Sequence, residues 1–228
     1  MLGILVGLTI SWLILFLTEK QSILALGFLP LAKRSRQFFT GFIITAVLCL
    51  GVQYLEAFLK SSSWILNNDI SFNIILQSFF WDVKSVFTEE LIFRGALLYI
   101  LIHKIGSQKS ILISAIAFGI YHWFSYGVFG NIVPMVFIFI GTALMGYAWA
   151  LAFDKTTSIM LPFGLHLGWN FTYNTVFSKG PLGELLLISE GGNELGDWAS
   201  LFNFLNGLII APLIVLAIVS FFVKSEKI

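Results

Sequence analysis

Apolar positions in this chain fall in long continuous runs, with neither the alternation of a half-buried strand nor the one-sided stripe of a soluble helix. Runs of that kind predict helices surrounded by lipid on their outer faces. The first run, from Leu2 to Leu17, precedes Glu19-Lys20 and has no basic residue before it, the reverse of a cleavable signal peptide. The stretch from Ser22 to Ala32 is too short to cross and is broken by Gly27 and Pro30, so it reads as interfacial; Lys33-Arg34-Ser35-Arg36 follows it. Further spans are predicted at about 38–59, 71–102, 110–126, 132–153, 158–177 and 201–223. The 71–102 helix is expected to run unbroken to His103-Lys104, with Gly106 as its stop signal. Asp82 and Lys84 in its early turns read as an interfacial approach, residues 61–69 as a polar turn, and residues 178–200 as a long acidic loop. This makes seven spans, with an eighth if one of the connecting segments dips into the bilayer.

Composition narrows the class. Of 228 residues, 58% are hydrophobic and 11% charged, and mean hydropathy is +0.92; a soluble domain carries about a quarter charged residues. The expectation is one integral-membrane domain over residues 1–228. A barrel would show alternating segments of about ten residues, which are absent. Thirteen basic against twelve acidic residues leave no net charge to attract nucleic acid, so the partners are the bilayer and whatever enters the protein from it. The single cysteine, Cys49, excludes an intrachain disulfide and reads as a small packing residue.

Charge sidedness orients the spans. Lys20, Lys33, Arg34 and Arg36, then Lys104 and Lys109, Lys155, and Lys224 with Lys227 all fall on one side of a seven-span arrangement. Basic loops stay in the cytosol. The C-terminus is therefore expected to be cytosolic and the 60–70, 126–131 and 178–200 connections to lie outside.

Against this apolar background stands Glu89-Glu90-Leu91-Ile92-Phe93-Arg94-Gly95. Ionised groups inside a membrane helix are costly, and they persist when they pair or do chemistry. Glu90 and Arg94 are four apart, on one helix face in the favoured acid-then-base order. Glu89 points about 100° away and has no basic residue at that spacing. Two further spans carry His122, after Phe118, and His166 with Asn170. Counted from their cytosolic ends, Glu89, His122 and His166 reach similar depths, and the four-residue spacing points His166 and Asn170 the same way.

A carboxylate, two imidazoles and a carboxamide in a dry pocket suit hydrolysis. Glu89 with His122 could orient and deprotonate a water. His166 and Asn170 could donate to the developing oxyanion, where one preorganised donor is worth ~3 kcal/mol. The trio Glu89, His122 and His166 equally matches a zinc ligand set. The metal-free arrangement is favoured because it employs all four groups, whereas zinc would leave Glu90 as the only nearby base, and Arg94 makes it a poor one. Blander readings compete: a lone membrane histidine is usually a helix contact, a lone asparagine is interhelical glue, and Trp123 and Trp169 suit packing or a pocket wall. A proton-coupled carrier would also place carboxylates and histidines in the membrane, but should show inverted repeats, and none is found. H-E-x-x-H, G-x-S-x-G, P-loop and G-x-G-x-x-G patterns are absent.

The ordered set E-E-x-x-x-R (Glu89, Glu90, Arg94), F-x-x-x-H (Phe118, His122) and H-x-x-x-N (His166, Asn170) resembles the CPBP family of intramembrane proteases. That family includes the type II CAAX prenyl endopeptidases and the Abi group linked to bacteriocin processing and immunity. The motif-bearing region covers about residues 71–177. The resemblance implies an all-α polytopic helix bundle of about eight spans around a polar intramembrane chamber, and peptide-bond hydrolysis there. It further implies water activation by Glu89 and His122, oxyanion binding by His166 and Asn170, and structural support from Glu90 and Arg94. Peptides or membrane-associated proteins would be the substrates, and members have been described both as metalloproteases and as metal-free, glutamate-dependent enzymes. A non-proteolytic binding or immunity protein that keeps the motifs is the alternative it leaves.

Overall fold

In the computed structural model, which describes residues 2–226, the predicted spans appear as helices, with instructive departures. In chain order these are α1 (Leu2–Glu19), α2 (Leu31–Lys60), α3 (Phe72–Phe93), α4 (Ala96–Ile105), α5 (Ser107–Ser125), α6 (Ile132–Thr156), α7 (Met160–Phe171), α8 (Asp197–Leu205) and α9 (Ala211–Phe222). The segment read as interfacial holds a single 3-10 turn, Ile23–Leu26. Lys227, counted with the basic residues above, lies outside the described residues. By length and composition, three helical stretches among the described residues can cross a bilayer, namely Leu31–Lys60, Ile132–Thr156 and Asp197–Phe222. Phe39, Ile43, Val47 and Phe58 lie exposed along α2, as suits a helix whose outer face meets lipid. The fold is an all-α bundle, and the protein is an integral membrane protein.

Two apolar clusters organise the bundle. One gathers Leu15, Leu26, Leu91, Leu98, Ile111, Phe153 and Ile159, joining α1 to α3, α4, α5 and α6. The other gathers Phe118, Met145, Leu161, Leu165, Val215 and Val219, joining α5, α6, α7 and α9. The tightest helix pair is α2 with α7. A Cβ on Gly164 would collide with the Phe38 carbonyl and one on Gly168 with the Phe42 carbonyl, so only glycine permits this approach. Thr45 then donates its hydroxyl to the Leu165 carbonyl at 2.6 Å, stitching α2 to the helix that carries His166.

Three expectations need correction. The predicted 71–102 helix breaks at Arg94-Gly95 into α3 and α4. Gly95 adopts φ −89° and ψ −137°, where a Cβ would overlap the Leu91 carbonyl, and Ser114 of α5 caps the freed Phe93 carbonyl at 2.8 Å. The turn at 61–69 and the loop at 178–200 are not merely irregular. Each contributes a strand, β1 (Ser62–Leu66) and β2 (Leu187–Gly191), paired antiparallel with Trp64 opposite Ser189. Their pairing is long-range, so no local turn signal announced it.

Asp82 is the third correction. It is fully buried among protein groups, and of the two only Lys84 is exposed. A π-turn, Thr172–Val176, extends α7 and carries Asn174 and Thr175 to Asp82, at 2.6 and 3.3 Å. Ser78 completes the cluster by bonding Thr175 at 2.7 Å. Buried polar groups persist when partnered in this way. Replacing Asp82 with Val should cost about 1–3 kcal/mol, since the Asn174 amide and the Thr175 hydroxyl lose a buried acceptor. Thermal unfolding in detergent checks this, and an unchanged midpoint would remove the cluster from the account of the fold.

Candidate active site

The site begins with the EExxxR turn at the end of α3. Glu90 and Arg94 are both fully buried, and Arg94 Nη1 donates to Glu90 Oε1 at 3.2 Å. The expected pairing is present. Arg94 Nη2 donates to the Gly146 carbonyl of α6 at 3.3 Å, and the guanidinium lies 4.1 Å over the Phe118 ring. Such stacking suits the planar guanidinium, which is weakly hydrated and tolerates burial.

Glu90 has a second partner that spacing alone could not name. His166 Nδ1 lies 2.8 Å from Glu90 Oε1, so one carboxylate holds both Arg94 and His166. The other ring nitrogen, Nε2, lies 3.8 Å from Glu89 Oε2. Glu89 therefore has an imidazole neighbour after all, although Glu89 Oε2 is buried and makes no hydrogen bond. Trp149 of α6 stacks on His166 with ring centroids 3.9 Å apart, fixing the imidazole plane.

His122 sits one helix away on α5. Its Nδ1 is 2.7 Å from the Phe118 carbonyl, which can only accept, so Nδ1 carries the hydrogen and neutral His122 presents a lone pair on Nε2. Its ring packs edge-on against Phe118 at 4.4 Å.

Glu89, His122, His166 and Asn170 all line one chamber of about 970 Å³. All four residues expected at the site are thus brought together around a single cavity. Trp169 is part of the chamber wall, while Trp123 is not among its lining residues and donates its indole N–H to the Met135 carbonyl at 2.8 Å. Cys49 is buried away as a packing residue.

Among the described residues, no three His, Cys, Asp or Glu side chains are grouped to hold an ion. Glu89 and His166 approach each other at 3.8 Å, while His122 is anchored through Nδ1 to the Phe118 carbonyl.

Sequence reasoning passed over Trp149, Asn174 and the role of Asp82. Trp149 lies in Ala148-Trp149-Ala150, where nothing separates it from an ordinary core aromatic. The other two left a signal. Asp82 precedes Glu89 by seven residues, within about 20° of the same helix face. Asn174 continues the four-residue series of His166 and Asn170, and like them lines the chamber.

No curated protein and no solved structure matches the chain. Residues 69–172, a little under half of its length, match the family model described as type II CAAX prenyl endopeptidase Rce1-like. That segment runs from the start of α3 through α7 and contains every motif residue from Glu89 to Asn170. The chain thus carries an Rce1-like segment, similar to the type II CAAX prenyl endopeptidases and in keeping with the CPBP protease resemblance of its motifs.

Proposed function

We propose that this protein is a multi-pass intramembrane endopeptidase that hydrolyses peptide bonds with a water activated by Glu89. The observation that carries the reading is the Glu89 carboxylate itself. It lines a chamber inside a membrane bundle, one oxygen has no hydrogen-bond donor among the protein groups, and His166 Nε2 stands 3.8 Å away.

Glu89 accepts a proton from the water as its oxygen attacks the peptide carbonyl carbon, and His122 Nε2 orients that water through its lone pair. The resulting oxyanion takes hydrogen bonds from His166 Nε2–H and the Asn170 amide. His166 donates from Nε2 only when a second proton occupies its Nδ1 bond to Glu90, and the Glu90 carboxylate, held by Arg94, is placed to stabilise that state. Collapse of the tetrahedral intermediate breaks the C–N bond, and Glu89 returns its proton to the departing amine. Base and oxyanion donor serve oxygens on the same carbon, so they must stand close without bonding each other. The Glu89–His166 separation meets that requirement.

A cleavage assay with a peptide library, comparing purified protein with Glu89→Ala, tests the reading. Cleavage lost in the variant supports it, whereas specific peptide binding without cleavage by the unaltered protein would replace it with the non-proteolytic binding role. The mechanism needs no metal. Activity should survive exhaustive chelation, with well under one metal per chain by elemental analysis; stoichiometric zinc whose removal and return switch activity off and on would overturn that part.

A further inference from the structure

The chamber is not centred between the two ends of the bundle, and its placement has a consequence for the substrate. One end carries most of the basic residues: Lys20 after α1, Lys33 and Arg34 at the start of α2, Lys104 and Lys109 around the α4–α5 turn, and Lys155 near the end of α6, against Lys60 and Lys179 at the other, both paired with Glu56. The other carries the β1–β2 ribbon, the α5–α6 connection and the start of α8, with Glu184, Glu190, Glu194 and Asp197. Residues lining the chamber reach this second end. Glu56 lies in the last turn of α2, Ser125 and Tyr126 close α5, Lys179 and Pro181 follow the π-turn after α7, and Asn203 belongs to α8. Toward the basic end the lining stops at Trp149 and His166, seven residues before the end of α6 and six after the start of α7.

Beyond that floor the bundle is filled. Leu26, Ala150, Phe153 and Ile159 are buried to 2% exposure or less and pack in one cluster. Outside them lies a polar latch. Arg34 donates to the Leu29 and Thr156 carbonyls and to Glu226 Oε2, while Gln37 donates to Glu226 Oε1 at 2.9 Å. Lys155 Nζ caps the end of α9 through the Val219, Ser220 and Val223 carbonyls. Interiors packed in this way leave no passage for a peptide.

Basic termini and turns stay on the cytosolic side of a membrane. We propose that the chamber is closed to the cytosol and opens on the opposite side, so that its substrates are polypeptide segments exposed at the extracytosolic face. The nature of the occupant rests on the hydrolytic reading above; the side of entry does not, because it follows from charge placement and packing alone. A cytosolic protein with a processed tail could not reach Glu89 along this route, although the family match by itself would suggest such a substrate.

Single cysteines at Ser125 and Asn203 on the rim, Ser85 one turn before Glu89, and Ser35 in the basic cluster test the proposal. The unsubstituted chain, with Cys49 buried, supplies the background. Each variant is treated with a small membrane-impermeant methanethiosulfonate in right-side-out and in inverted vesicles. Positions 125, 203 and 85 are expected to react at least tenfold faster in right-side-out vesicles, and position 35 in inverted ones. Reaction of the chamber positions from the same face as position 35, or at neither face, overturns the inference. In parallel, right-side-out vesicles should cleave an impermeant peptide that inverted ones leave intact. Loss of all cleavage with the labelling pattern intact would sink the protease reading and leave the side of opening standing.

Discussion

Replacing Glu89 with Gln is expected to lower kcat by a factor on the order of 10²–10⁴, the usual range for a general base, while leaving the fold intact. The carboxylate oxygen that faces His166 has no protein donor, and glutamine keeps a carbonyl oxygen able to accept from Ser85, so no partner need be orphaned. The substitution also removes one of two adjacent carboxylates, relieving like-charge repulsion with Glu90 in a low-dielectric setting. Thermal midpoints should therefore match or slightly exceed those of the unaltered protein. Single-turnover cleavage and a melting curve on the same preparation read both quantities. A folded, fully active Glu89→Gln would remove Glu89 from the mechanism, and an unfolded one would make its role structural.

Arg94→Met should do the reverse and strike stability first, at a cost of about 3–5 kcal/mol, the usual penalty for orphaning one member of a buried pair. Arg94 is wholly buried between Glu90, the Gly146 carbonyl and the Phe118 ring, and methionine replaces none of its donors. Glu90 would then keep only His166, drawing that ring away from its proposed task. Adding Glu90→Gln to Arg94→Met should recover part of the loss, because the stranded charge is gone, and the coupling energy of the double-mutant cycle measures the pair. Denaturant titration of the four proteins checks this. Strict additivity, or an Arg94→Met protein as stable as its parent, would mean that the pair does not hold the site.

Helices were legible wherever a long apolar run had no competitor, as for α2 and α6, because lipid leaves the backbone no hydrogen-bond partner but itself. The Glu90–Arg94 pair was legible for a different reason: both residues sit on one helix, where spacing alone determines proximity. Gly95 looked like one more residue of a continuous helix, since a glycine within an apolar run does not say whether the chain breaks there. The burial of Asp82 was not legible because its partners, Asn174 and Thr175, are more than 90 residues away and reach it only through a π-turn. The β1–β2 ribbon joins segments separated by over 120 residues, beyond any local rule.

The sequence by itself determined the membrane class, the helical architecture and the residues able to do chemistry there, because run length, charge scarcity and helical spacing are local properties. Tertiary structure alone decided that His166, not His122, stands beside both glutamates, since three separate helices must dock before any imidazole has a neighbour. It also decided that the chamber reaches only the acidic end of the bundle. Which end of a set of helices is filled and which stays hollow depends on how their side chains interdigitate, and no run of residues along one chain records that.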